Sequence, residues 1–100
     1  MDLRQLLTLR TVVDKGSFSH AAEELGISQP AVSFQIRALE DRIGQRLLDR
    51  SGRRVTLTDA GRVVDAHARR ILALEDELMR EVSGLSDHLS GPLEIGRAHV

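Results

Sequence analysis

The sequence predicts a mainly helical fold of three short helices, a small two-stranded hairpin and one long final helix. Three observations carry this reading. Apolar residues recur at helical spacing in blocks that stop at Gly16, Gly26 and Gly44. The stretch "RLLDRSGRRVTLT", with a central glycine and β-branched residues, breaks that pattern. After it, no proline occurs until Pro92, and apolar residues return every seven positions.

Composition narrows the alternatives. The 100 residues are 41% hydrophobic and 29% charged, which describes a globular chain long enough for one small domain and an appended helix. Phe18 and Phe34 are the aromatics, so the core is expected to consist of Leu, Val, Ile and Ala. Without cysteine there are no disulfides or cysteine-based zinc sites, which suits a reducing cytoplasm. The N-terminal "MDLRQLLTLR" carries charges inside its apolar run and reads as neither a signal peptide nor a membrane span.

The first helix is expected over residues 3–15, with Leu3, Leu6, Leu7, Val12 and Val13 at helix-like spacing and Gly16 as the stop. Ser17 or Ser19 caps a second short helix, "HAAEEL", ended by Gly26. Ala21 and Ala22 let it pack closely on a neighbour. Ser28 caps the third helix, with Gln29 and Pro30 in its first turn, where the missing proline N–H costs nothing. That helix runs to about Ile43. A short helix, a glycine-containing turn and a longer helix together form the helix-turn-helix pattern.

The hairpin is placed at Leu47–Arg50 and Val55–Leu57 around Ser51–Gly52, with Arg50, Arg53 and Arg54 clustered at its tip. Two strands alone are barely stable, so Leu47, Leu48 and Leu57 must lean on the helices. An uncompensated arginine run beside a helix-turn-helix points to phosphate or minor-groove contact rather than to a solvated turn. Thr58 then caps a helix from residue 59 to about 89. Val64, Ile71, Leu78 and Leu85 repeat by sevens, and Ala68, Leu74, Val82 and Leu89 thicken the stripe. So small a domain cannot cover this whole stripe. The first turns are expected to pack on the N-terminal helices and the distal half to pair with a second copy. Val64, Ile71, Leu74, Leu78, Val82 and Leu85 are the expected dimer interface. "PLEI" reads as the start of a strand. The closing "IGRAHV" is the translation of ATCGGAAGAGCACACGTC, a string found in common sequencing adapters, and is expected to lie outside the genuine fold.

The formal net charge of −1 argues by itself against nucleic acid, but its distribution argues for it. Residues 27–54 hold six arginines against three acids, a surplus of three positive charges. From Thr58 onward five arginines face eight acids, a surplus of three negative charges. Only the basic middle need meet an anion.

On the third helix, Val32, Ile36 and Leu39 face a core, and Gln29, Pro30, Ser33, Phe34 and Arg37 lie on the other side. A recognition helix puts its N-terminal residues at base edges in the major groove. Gln29 can pair bidentately with adenine, Ser33 can bond a base or phosphate, and Phe34 can meet a thymine methyl. Arg37 reaches phosphate or guanine. Ser28 and Ala31, in the same first turn, are counted with them. The alternative for Phe34 is packing under the hairpin or against a partner.

A catalytic reading is weak. His20, His67, His88 and His99 show no ligand spacing, and neither HExxH nor a phosphate-binding glycine loop occurs. His67 and Asp65 are two apart on a helix and face apart. No enzyme, metal or cofactor is therefore expected. A pure dimerisation module is the stronger rival, and it would lack salt-dependent DNA binding.

The blocks "SFSHAAEELGISQPAVSFQIRALE" and Leu57-Thr-x-Ala-Gly61 resemble the N-terminal DNA-binding domain of the LysR-type transcriptional regulators. The resemblance extends over most of the chain. It implies a winged helix-turn-helix in residues 1–58, a linker and dimerisation helix in 59–89, and the start of an effector domain in 90–100. It also implies a bacterial cytoplasmic, nucleoid-associated homodimer on dyad-symmetric double-stranded DNA, forming a tetramer only with the effector domain. Gln29, Pro30, Ser33 and position 34 would contact bases, and Arg53 would enter the minor groove from the wing. Position 34 is more often polar or basic in the family, so Phe34 is expected to shift base preference. Leu48 stands where Phe is usual and trims core volume. The small-molecule site of the family is not expected within these residues.

Overall fold

The computed structural model of the protein describes residues 1–90, with side chains described to residue 85. The order is α1 (Leu3–Lys15), α2 (Phe18–Leu25), α3 (Gln29–Ile43), β1 (Leu48–Asp49), β2 (Thr56–Leu57) and α4 (Asp59–Ser90). The expected strand at "PLEI" and the terminal "IGRAHV" lie outside the described residues, as does the Leu89 side chain.

Local chemistry sets the helix ends. Asp2 accepts from the Gln5 backbone N–H at 2.9 Å, and the Gln5 side chain accepts in return from the Asp2 N–H at 3.3 Å, closing a capping box on α1. Ser28 caps α3 by accepting from the Ala31 N–H at 3.1 Å. The second helix begins at Phe18 rather than His20. Ser17, in extended backbone, accepts from the His20 N–H at 3.2 Å and so takes the capping role offered to both serines. This start also corrects the expected core. Phe18, in the first turn of α2, is buried and joins the aliphatic cluster.

The three short helices pack around Leu9, Val12, Ala21, Val32, Ile36 and Leu39, all fully buried. Burying one such large aliphatic side chain contributes about 1.5–3 kcal/mol. On α1 the buried stripe is Leu6, Leu9 and Val12, with Thr8 and Thr11 beside it, whereas Leu3 and Leu7 stay exposed. The leucine spacing alone does not tell Leu7 from Leu6; the position of α3 and α4 against the helix does.

The wing is minimal. Leu48 pairs with Leu57 and Asp49 with Thr56, antiparallel. Its connecting loop spans residues 50–55, longer than a tight hairpin turn. Leu47 and Leu48 are buried and Leu57 is packed on the core, so the hairpin leans on the helices as its leucines require. Polar ties reinforce the root: the Leu47 N–H donates to Glu40 Oε2 at 2.8 Å, and the Val55 N–H to the Gly16 carbonyl at 3.0 Å.

Gly16 is needed because its φ of +69° is the left-handed value that ends α1; the Arg54 guanidinium packs against it, but that flexible tip can move aside for a Cβ. At the other end of the wing, Thr58 Oγ1 donates to the Arg46 carbonyl at 2.7 Å and accepts from the Gly61 N–H at 3.0 Å. The first turn of α4 is thereby stitched to the wing root.

α4 has 32 residues and is about 48 Å long. Ala60, Val64, Ala68 and Leu72, at intervals of four, pack on the core and against α1. The heptad assigns Val64 to the dimer interface; within one protomer it is half-buried and packs against the core, because the four-residue spacing that covers α1 includes it. Farther along, Leu74, Leu78, Val82 and Leu85 are each more than half exposed, and Ile71 lies at the boundary.

Candidate nucleic-acid interface

α3 presents the candidate interface because its opposite face is nailed into the core. Val32, Ile36 and Leu39 are fully buried, which turns Gln29, Pro30, Phe34 and Arg37 to solvent, with Ala31 and Ser33 half-buried beside them. Ser28 is exposed at the cap. A second anchor comes from α1: the buried Thr8 hydroxyl donates to the Gln35 side-chain oxygen. This bond fixes the roll of α3 about its axis.

Phe34 is 70% exposed. It does not pack under the wing. It shares a groove with Ala31 and Gln35 and with Asp2, Arg4 and Gln5 at the start of α1. An exposed aromatic on a helix whose large aliphatic side chains Val32, Ile36 and Leu39 are buried carries a hydration cost that a ligand surface removes.

The arginine cluster of the wing separates into three different situations. Arg50 lies over the Phe18 ring, its guanidinium carbon 4.0 Å from the ring centre. Arg54 packs beside Gly16 in the α1–α2 turn. Arg53 is exposed and, among the described residues, makes no ion pair. The sequence places the three together at a tip, but the long loop lets two of them fold back on the helices. Arg50 still faces a groove lined by Arg37 and Arg46 together with Glu40 and Asp41, in which Arg46 pairs with Glu40 at 3.6 Å.

Asp49 starts the wing loop. Its carboxylate accepts from the Ser51 hydroxyl at 2.7 Å and from the Ser51 N–H at 2.9 Å, and these bonds lower its pKa below the ordinary 3.8. A depressed acid contributes stability above its unfolded pKa and loses it as pH falls through the folded value. The loop start therefore keeps these bonds at neutral pH and loses them only in acid.

Sequence reasoning missed one polar cluster. Asp65, nearly fully buried on α4, accepts from Arg10 of α1 at 2.9 Å and from Arg69 at 3.3 Å. Arg10 also meets Asp14 at 2.9 Å. Burial opposes the Arg10 charge, but the bonds to Asp65 and Asp14 outweigh it and raise its pKa above the ordinary arginine value. The Asp65–Arg69 spacing of four was legible; the partner 55 positions earlier was not. Among the described residues no group of three or more His, Asp or Glu side chains could hold a metal ion, and no helix is long and apolar enough to cross a membrane.

A buried-backed helix with a polar and aromatic outer face, a preceding short helix and a two-stranded wing define a winged helix-turn-helix protein. Residues 3–62 match the family model described as bacterial regulatory helix-turn-helix protein, lysR family, and the chain belongs to that family. It is 48% identical over 98 residues to a probable RuBisCO transcriptional regulator of Chlorokybus atmophyticus, covering 98% of this chain and 31% of that protein. It is 43% identical to an uncharacterized HTH-type transcriptional regulator of Azotobacter vinelandii, covering 99% of this chain and 69% of that protein. The chain thus spans about a third of the length of the first relative. The crystal structure of the BenM_DBD/catB site 1 DNA complex superposes with a TM-score of 0.83 at 35% identity, covering 86% of this chain and 96% of that one.

Proposed function

We propose that this chain reads a dyad-symmetric double-stranded DNA site as a homodimer and so regulates transcription in a bacterial cytoplasm, at the nucleoid. The observation that carries the reading is the outer face of α3, where Gln29, Pro30 and Arg37 surround a Phe34 left 70% exposed. In this reading α3 lies in the major groove. Gln29 pairs with adenine, Ser33 bonds a base or phosphate, and Phe34 covers a thymine methyl. Ser28 and Ala31 pack against the backbone at the helix N-terminus. Arg53 enters the minor groove, while Arg37, Arg50 and Arg54 meet phosphates. Ile71, Leu74, Leu78, Val82 and Leu85 form the dimer seam. Residues 1–58 are the reader and 59–89 the linker helix; 90–100, apart from the closing "IGRAHV", begin an effector domain, with which tetramer assembly belongs. Neither a cofactor nor a small-molecule site is assigned to this segment.

The test is a fluorescence-anisotropy titration of a dyad-symmetric duplex and a scrambled control at several salt concentrations. Tighter binding to the dyad is expected, with log K falling by roughly 0.9 per phosphate contact for each tenfold rise in salt. Equal weak binding to both duplexes overturns sequence reading. No binding at low salt points to the dimerisation module instead.

Two substitutions separate roles. Gln29→Ala should cost about 1–3 kcal/mol at one base position and relax preference there. Arg53→Ala should weaken binding to all duplexes similarly and lower the salt slope by about one. Base-selection profiles of both variants check the difference, and identical uniform losses would refute the Gln29 role.

A further inference from the structure

We propose that the Arg10–Asp65 pair is the element that sets the direction of α4 relative to α3, and hence the half-site separation the dimer accepts. The inference rests on reading distal α4 as the dimer seam.

The remaining α1–α4 contact is apolar, through Ala60, Val64, Ala68 and Leu72, and the Thr58 and Gly61 contacts with the wing root hold only the first turn of α4. Apolar burial is non-directional and tolerates small tilts. The ion pair does not. Arg10 is a fork with one branch on Asp14 of its own helix and the other on Asp65 of α4, both at 2.9 Å. Arg69 closes the far side of Asp65 at 3.3 Å. Among the described residues, the Arg10–Asp65 bond is the one side-chain hydrogen bond between α1 and α4. α1 in turn holds the roll of α3 through Thr8 and Gln35. Two separate polar ties on α1 therefore hold its two neighbours, Arg10 the linker helix and Thr8 the helix α3.

Leverage makes this matter. Leu78 lies 13 residues beyond Asp65. At 1.5 Å per residue that is roughly 20 Å, so a tilt of about 10° moves the seam by roughly 3.4 Å, about one base-pair step. Two protomers tilt together, and the error doubles. A buried ion pair adds little net stability over an apolar pair of the same volume, and geometric specificity is its best-attested use.

The experiment uses the whole chain and a dyad duplex selected by it from a random pool. One base pair is then inserted or removed at the centre. The native chain is expected to lose about tenfold or more in affinity for the shifted duplexes. The double variant Arg10→Met/Asp65→Leu is expected to keep its melting temperature and its dimer in sedimentation, yet to discriminate spacing by only about twofold. Arg10→Lys keeps the charge but loses the fork. It should show intermediate discrimination, and it serves if the double variant fails to fold. A stable dimeric variant with native spacing discrimination overturns the role of the pair alone. A native chain that sediments as a monomer overturns the dimer reading, and this inference with it.

Discussion

Gly61→Ala is expected to destabilise the domain by about 3 kcal/mol or more, and to release the wing from the helices before the core fails. Alanine is ordinarily the better helix former by about 1 kcal/mol, so the substitution looks favourable on α4 by itself. The tertiary contact reverses the sign. A Cβ at Gly61 would overlap the Leu47 carbonyl oxygen and press on its carbon at 2.9 Å and on Leu57 Cδ2 at 3.1 Å. The obstacle is backbone, which cannot swing aside as a side-chain tip does. That same carbonyl accepts the Thr58 N–H at 3.0 Å, so moving it breaks the stitch between wing and α4. Overpacking of this kind costs typically about 1–3 kcal/mol and more against fixed groups, a large share of the roughly 5–15 kcal/mol that holds a domain. Thermal melting checks the magnitude. Faster amide exchange at Val55 and Thr58 than in α3 would locate the damage at the wing. A variant as stable as the native chain would refute the close approach.

Leu78→Asp should act at the opposite end of the molecule and leave the monomer intact. Leu78 is 58% exposed within one protomer, so its replacement removes little intrachain packing. In the proposed dimer it lies in the seam, where an unpaired carboxylate must be desolvated. A penalty of about 3 kcal/mol raises the dimer dissociation constant on the order of a hundredfold. Affinity for a dyad duplex should fall steeply with it, because the second half-site is then no longer bound from the same particle. Binding to an isolated half-site should hardly change. Sedimentation velocity and circular dichroism together decide: an unchanged dimer places the seam elsewhere, and a lost helical signal means the residue supports the fold itself.

The stops of α1 and α3 and the Ser28 cap were legible because capping is local: Ser28 and the glycines act within a few residues of the helix end they set. The Asp2–Gln5 box on α1 is just as local, yet it emerged only from the structure. The buried stripe of α3 was equally legible, since Val32, Ile36 and Leu39 obey one period on one helix. The outer face follows by subtraction, which is why Gln29, Pro30, Ser33, Phe34 and Arg37 group together on sequence alone. The second helix resisted because two serines could cap it, and the choice turned on where Phe18 could be buried.

What the sequence alone determined, then, is the order of elements, the solvent face of α3 and an apolar stripe on α4 longer than one small domain can cover. Tertiary structure decided which members of each group are spoken for. Val64 packs half-buried against the intrachain core and Leu78 lies on the open stripe, though both occupy the same heptad position. All three wing arginines are exposed, but Arg50 also rests on Phe18 and Arg54 on Gly16. Asp65 is buried because Arg10, far away in the chain, passes beside it. Periodicity and capping are written within one or two helical turns. The partners of a charge or an aromatic ring are set by which segments the folded chain brings together, and no local pattern encodes them.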